Sequence, residues 1–204
     1  MILVSTSDAA PVPWKNGGGV TRELLRLPAE AAADWTLRIS VADIAAGGPF
    51  SPFPGITRWF AVLAGAGVRL SFADRVLNIR RGDAPLRFDG ADAPGCTLLD
   101  GATRDLNVMV REGAGTVAVD AASFHDECPP PRTAGYGFFA LRAVRLHGPA
   151  ETPVQMPALS LCWQEPPFGP TRPWAIEPWL ADGPDQEHTL EPPGYWIGLQ
   201  PPRP

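Results

Sequence analysis

The side chains best equipped for chemistry lie in three places along the chain. The first is Trp14-Lys15-Asn16-Gly17-Gly18-Gly19, followed closely by Thr21-Arg22-Glu23. Three consecutive glycines let a backbone approach a ligand or a neighbouring strand closely. Around them stand an amine, an amide, a hydroxyl, a guanidinium and a carboxylate. Lys15 is the one lysine among 17 basic residues, and the asparagines are only Asn16, Asn78 and Asn107. The segment is not a phosphate-binding loop of the GxxxxGK[ST] type, because its lysine precedes the glycines. It reads either as a turn that touches a ligand or as a plain turn with a surface lysine.

The second place is Asp105-Leu106-Asn107-Val108-Met109. In a strand, Asp105 and Asn107 project to one side while Leu106 and Val108 project to the other. The polar side is either a solvated outer face or the lining of a barrel. In the latter case Asp105 orients an arginine, and Asn107 recognises a carboxylate or an amide. The third place is the pair Arg38 and Arg58. If either points inward it needs a partner, because an unpaired buried charge is very costly. Asp105, Asp43, Glu23 or an anionic ligand would serve. The planar fork of arginine suits bidentate carboxylate binding. Exposed arginines at strand ends are the competing reading.

Other chemistries lack their residues. His125, His147 and His188 stand singly, without the two-apart spacing that strand-borne metal ligands use. No metal and no cofactor is therefore expected. No G-x-S-x-G, no paired Cys/His nucleophile and no GxGxxG occurs. Cys96, Cys128 and Cys162 match neither a disulfide framework nor a CxxC zinc site, and read as reduced, mostly buried thiols.

The elements that must position these residues are short. Among 204 residues there are 25 prolines and 21 glycines, while 45% are hydrophobic and 19% charged. That combination supports a packed core with many corners and leaves little room for long helices. Trp35 to Val41 alternates, with Trp35, Leu37, Ile39 and Val41 on one face. Arg58 to Leu63, the Gly65-Ala66-Gly67 corner and Val68 to Phe72 read as a hairpin. Further strands are expected at Arg75–Ile79, Pro85–Phe88, Thr97–Leu99, Asp105–Val110, Thr116–Val119, Gly137–Leu146, Ser160–Trp163 and Tyr195–Leu199. Brief helices are expected near Arg22–Leu27 and Ala29–Ala33. Cys128-Pro129-Pro130-Pro131 reads as a rigid crossing. The Pro/Trp-rich stretch from Pro166 to Pro193 reads as loop or short helix. Many short strands between Gly/Pro turns point to an all-β sandwich or barrel.

The net charge of −5, with no basic stripe, argues against nucleic acid. No apolar run reaches the roughly 18 residues of a membrane helix. The opening Met1-Ile2-Leu3-Val4-Ser5 lacks the features of a secretory signal, so a cytoplasmic location is expected.

Pro13 to Glu23 resembles the opening signature of the HutD/Ves family. The resemblance continues through Trp35–Ala42, Gly48–Arg58 and Gly101–Met109, and more loosely through Gly137-Phe138-Phe139 and Tyr195–Leu199. It implies an RmlC-like cupin with two β-barrel or sandwich modules in one chain, a bicupin with a few short helices. The first module would span about 11–120 and the second about 121–204. It also implies a metabolite-binding protein connected with histidine catabolism. A metal-free cupin loses its usual catalytic centre but keeps its pocket.

The expected function is binding of a small anionic metabolite, such as urocanate or formylglutamate, with a regulatory role. Lys15, Arg22, Arg38 and Arg58 would supply positive charge, Asn16 and Asn107 amide hydrogen bonds, and Asp105 an orienting carboxyl. One alternative is an enzyme acting on a small carboxylate, with Lys15 and Asp105 as acid–base groups. The other is an interaction protein that forms a homodimer through Trp163, Trp174, Trp179 and Trp196.

Overall fold

Alternating side chains and frequent turn formers produce strands almost throughout. The computed structural model describes residues 1–30, 34–124, 134–148, 152–166, 174–179 and 191–202. Its strands begin with β1 (Ile2–Ser5), β2 (Pro11–Pro13), β3 (Gly19–Leu27), β4 (Leu37–Ile44), β5 (Gly48–Pro49) and β6 (Ile56–Ala64). Next come β7 (Val68–Ser71), β8 (Val76–Ile79), β9 (Leu86–Asp89), a 3-10 turn at Gly90–Asp92, β10 (Gly95–Leu98), β11 (Thr103–Arg111) and β12 (Thr116–Ala121). The rest are β13 (Gly135–Ala140), β14 (Val144–His147), β15 (Val154–Met156), β16 (Ser160–Gln164), β17 (Ala175–Pro178) and β18 (Gly194–Gln200).

The chain divides into two compact units, one formed by Thr6–Ala114 and the other by Met1–Ser5 with Gly115–Pro204. In the Thr6–Ala114 unit, a six-stranded sheet of order β2-β3-β4-β11-β6-β9 accompanies a four-stranded sheet of order β5-β10-β7-β8. The apolar core takes residues from both sheets: Ile44, Phe60, Val62 and Phe88 from the first, Val68, Leu70, Ile79 and Cys96 from the second. The other unit pairs a five-stranded sheet, β1-β16-β13-β18-β12, with a three-stranded one, β15-β14-β17. Its core gathers Tyr136, Phe138, Leu146, Met156, Cys162, Trp174, Ile176 and Trp196.

Several expectations meet a different outcome. Arg22–Leu27 is not helical but lies in β3, where pairing with both β2 and β4 outweighs local helix propensity. Among the described residues the 3-10 turn is the sole helical element, and 31–33 of the second expected helix lie outside them. Arg58–Leu63 and Val68–Phe72 do not pair as a hairpin. They join different sheets, so the glycine corner carries the chain from one layer to the other. Gly137–Leu146 is broken into β13 and β14, in different sheets. Part of the Pro166–Pro193 stretch forms β17, and the rest of what is described there is brief. The Cys128–Pro131 crossing lies outside the described residues.

The corner at Gly67 makes an exacting demand. Its φ is +102°, and a Cβ there would lie 2.2 Å from the Ile79 carbonyl oxygen. Both the backbone conformation and the space require glycine. Gly67→Ala should lower stability by about 2–3 kcal/mol, read as an earlier urea midpoint with an unchanged slope.

Candidate functional site

In an antiparallel sheet, residues directly opposite one another share a face. Across the six-stranded sheet, Asp105 stands between Ala42 and Val62, Asn107 between Ser40 and Phe60, and Met109 between Arg38 and Arg58. Asp105, Asn107, Arg38 and Arg58 therefore share one face, the one that also presents Ile44, Phe60 and Val62 to the core. The polar side of the Asp105 strand is an interior lining, not a solvated surface. Asp105 is 0% exposed, Arg58 4% and Asn107 7%.

These three side chains form a chain of hydrogen bonds. Arg58 Nη2 donates to Asn107 Oδ1 at 2.7 Å, and Asn107 Nδ2 donates to Asp105 Oδ1. The amide thus separates the cation from the acid, and no carboxylate lies within ion-pair distance of Arg58 among the described residues. Arg58 Nε and Nη1 and Asp105 Oδ2 are buried without a hydrogen-bond partner. Three rings surround the guanidinium: Phe50 at 4.9 Å, Phe88 at 5.1 Å and Phe53 at 5.7 Å to their centroids. Ring faces favour a cation, yet they satisfy none of its N–H donors.

Burial dominates the titration of this cluster. It pushes the Asp105 carboxyl up to about 8, against the pull of Arg58 and with a further push from Asp43. It also lowers the Arg58 guanidinium to about 10, with Asp105 opposing and Arg38 assisting. Cys96 faces the same interior, and its thiol is raised to about 11 by burial and by Asp105. Arg38 is tied to Glu23 instead: its Nε lies 2.8 Å from Glu23 Oε2, while Arg26 Nη2 lies 2.8 Å from Glu23 Oε1.

The other expected site residues are placed elsewhere. Arg22 faces the opposite side of the sheet, where Arg22 Nη1 and Arg104 Nε each approach Asp43 at 2.6 Å. Burial raises the Asp43 carboxyl, but the hydrogen bonds and charges of those two arginines outweigh it and hold the group below its ordinary value. Lys15 and Asn16 are exposed in the turn between β2 and β3. Asn16 Oδ1 accepts from Gly18 N at 3.0 Å, which shapes the turn. Trp14 Nε1 donates to Thr21 Oγ1 at 2.7 Å and clips the turn to β3. This turn adjoins Ile44, through Gly19. Along β4, Arg38 sits six residues from Ile44, about 20 Å at the rise of a strand, whereas Ala42, opposite Asp105, sits only two residues from it, about 7 Å. The structure therefore joins Arg58, Asn107 and Asp105, sets Arg38 nearby, turns Arg22 to the other side of the sheet, and leaves Lys15 and Asn16 exposed in a turn at the Asp105 end of the sheet. Lys15→Ala is expected to leave stability within about 0.5 kcal/mol of wild type, checked by thermal melting.

Residue types alone did not single out Phe50, Phe53 and Phe88. The one available signal was Phe53 between Pro52 and Pro54, beside the glycine turn that precedes Arg58. Of the tryptophans considered as surface anchors, Trp163, Trp174 and Trp196 are core residues of the other unit. Cys162 is likewise buried there, its thiol pushed up to about 12. His147 approaches Glu177 at 3.0 Å, while His125, His188 and Cys128 lie outside the described residues. Among the described residues, no three His, Cys, Asp or Glu side chains form a metal-holding group, and no helix is long and apolar enough to cross a membrane.

Comparison with known proteins places this arrangement in context. Residues 6–172 match the protein family described as HutD. The chain is 37% identical, over 107 residues, to the Pseudomonas putida protein named as an uncharacterized 21.2 kDa protein in the hutC 3' region; this covers 52% of the chain and 56% of that protein. It is also 37% identical over 99 residues to Protein Ves of Citrobacter koseri, covering 48% and 51% respectively. The chain thus spans about half the length of the curated relatives it matches. Among solved structures, HutD from Pseudomonas fluorescens SBW25 superposes with a TM-score of 0.81 at 20% identity, over 99% of both chains. Oxalate decarboxylase of Lactobacillus farciminis superposes at 0.57 and 12% identity, over 98% of this chain and 86% of that one. At such identities the likeness concerns the fold, which is all-β and cupin-like.

Proposed function

The chain belongs to the HutD family, and from that premise we propose that its Thr6–Ala114 unit binds a small carboxylate metabolite at Arg58, in the setting of histidine utilisation that the family's name denotes. One observation carries the reading. Arg58 is a buried guanidinium with two unsatisfied donor nitrogens and, among the described residues, no carboxylate in ion-pair range. Folding brought that charge out of water, and the Asn107 amide answers only one of its nitrogens. A ligand carboxylate would supply the missing charge and accept the free N–H groups, the pairing for which the guanidinium fork is suited.

Arg38 adds to this reading. It shares the face of Arg58, and Glu23 is divided between Arg38 and Arg26, so two cations share one carboxylate. A second carboxylate on the ligand would find favourable charge there. Urocanate and formylglutamate are the ligands to try first. The enzyme alternative built on Lys15 and Asp105 has less support, since Lys15 is exposed in the β2–β3 turn and Asp105 is fully buried near the start of β11.

A thermal-shift screen of histidine-degradation intermediates tests the proposal. A ligand at 100 times its dissociation constant stabilises the native state by about 2.7 kcal/mol. Wild type and Lys15→Ala should both shift with the same ligand, and Arg58→Ala should not. If no intermediate shifts the wild type at millimolar concentration, the reading fails.

A further inference from the structure

The buried charges around Asp105 constrain what else must accompany an anion into this site. Arg58 carries one positive charge. If Asp105 were ionised, the pair would already be neutral, with Asn107 between them. Adding an anion would then leave a net negative charge in a low-dielectric interior, with two anions competing for one guanidinium. Such an arrangement is strongly disfavoured. If Asp105 is instead a neutral acid, the anion and Arg58 cancel. Resting on the anion-site reading above, we infer that the cluster takes up its anion together with one proton, which resides on the carboxyl group of Asp105.

The hydrogen-bond inventory points the same way. Asp105 Oδ1 already accepts from Asn107, while Oδ2 is buried without a partner. Ionised, Oδ2 would add an unpaired acceptor to a cluster that receives an acceptor ligand. Protonated, it becomes a donor. The cluster then offers Arg58 Nε, Arg58 Nη1 and the Asp105 hydroxyl, three donors and no free acceptor, which is the complement of a carboxylate.

The excess positive charge nearest the cluster is a weak substitute for the proton, because solvent screens it. On β4, Arg38 is held by Glu23 of β3, which also holds Arg26, and all three are about a quarter to a third exposed and so screened by solvent. Asp43, also on β4, faces the other side of the sheet between Arg22 and Arg104. On β10, burial keeps the Cys96 thiol protonated in the neutral range. On β6 the charged group facing Asp105 is Arg58 itself. The elevated titration of Asp105 sets the pH at which the linkage becomes visible.

Formate serves as the probe, being the smallest carboxylate and fully ionised throughout the range. Its dissociation constant, from a nuclear magnetic resonance titration of the full chain, should be level between pH 6 and 7. Above pH 8 it should weaken toward tenfold per pH unit. In parallel, a pH-stat titration at pH 9 should register close to one proton taken up per formate bound. In Asp105→Asn both effects should vanish while formate still binds. A pH-independent affinity with no uptake in the wild type overturns the inference and leaves the anion site standing. Uptake that persists unchanged in Asp105→Asn overturns it as well. Absence of formate binding at pH 6 removes the anion site itself, and the inference with it. The wild-type measurements decide whether a proton accompanies the anion, and the variant decides whether Asp105 holds it.

Discussion

Arg58→Ala is expected to destabilise the Thr6–Ala114 unit by about 3–5 kcal/mol and to abolish carboxylate binding. Three consequences of the truncation act together. The space between Phe50, Phe53 and Phe88 loses its occupant, and the rings lose a cation lying 4.9–5.7 Å from their centroids. Asn107 Oδ1 loses its donor, and a stranded buried acceptor costs about 1–3 kcal/mol. Removing a poorly paired buried charge offsets part of this, which keeps the estimate from being larger. Arg58→Met separates the contributions because it fills most of the space without charge. It should lose binding as fully as Arg58→Ala, yet forfeit only about 1–3 kcal/mol, the range of one orphaned acceptor. Urea denaturation gives the stabilities and the formate titration gives the binding. Wild-type affinity in Arg58→Met would remove Arg58 from the site.

The strands that hold this cluster were legible because their signals are local. Alternation from Leu37 to Val41 and the Gly/Pro corners specify strand and turn without knowledge of the partner strand. The β1 strand was not legible, since its four residues acquire meaning only by pairing with β16, far along the chain. Arg22–Leu27 shows the same limit from the other side. In a helix, Arg22 and Glu23 would project about 100° apart. In β3 they face opposite sides of the sheet, so Arg22 goes to Asp43 and Glu23 to Arg38 and Arg26. One misassigned element therefore moved one expected ligand residue off the site.

For the site itself, the need of an inward arginine for a partner was readable, and Asp105 was among those weighed. That Asn107 would stand between them was not, because side-chain reach across neighbouring strands depends on register. Rarity does not report placement, as Lys15 shows. A residue's scarcity in the chain says nothing about whether its position is buried, and this one lies in an exposed turn whose shape is set by Asn16 and Trp14. The family-specific segment around it forms a structural corner, while the buried polar cluster lies on β6 and β11.

At pH 7, Asp105→Asn is expected to raise stability by on the order of 4 kcal/mol. The unfolded carboxyl titrates near 3.9, whereas the folded one is raised to about 8 by burial. Folding above pH 4 therefore requires proton uptake at this residue. The group's contribution to stability is fully present below the unfolded value and is lost progressively as pH rises toward 8, by about 1.4 kcal/mol per unit. Three units separate pH 7 from the unfolded value, which gives the estimate. Asparagine keeps the shape and the acceptor for Asn107 and has no proton to bind. The variant should match wild type near pH 4, pull ahead through pH 7, and hold its advantage above pH 8. Stability curves from urea melts at pH 4, 7 and 9 provide the check. If Asp105 were instead an ionised counter-charge that supports Arg58, the same substitution would destabilise at pH 7, so the sign of the change there decides between the two states of the carboxyl. If asparagine is the more stable residue at this position, the carboxyl does not serve stability at pH 7, and a buried proton site linked to anion entry is a use that only the acid can serve.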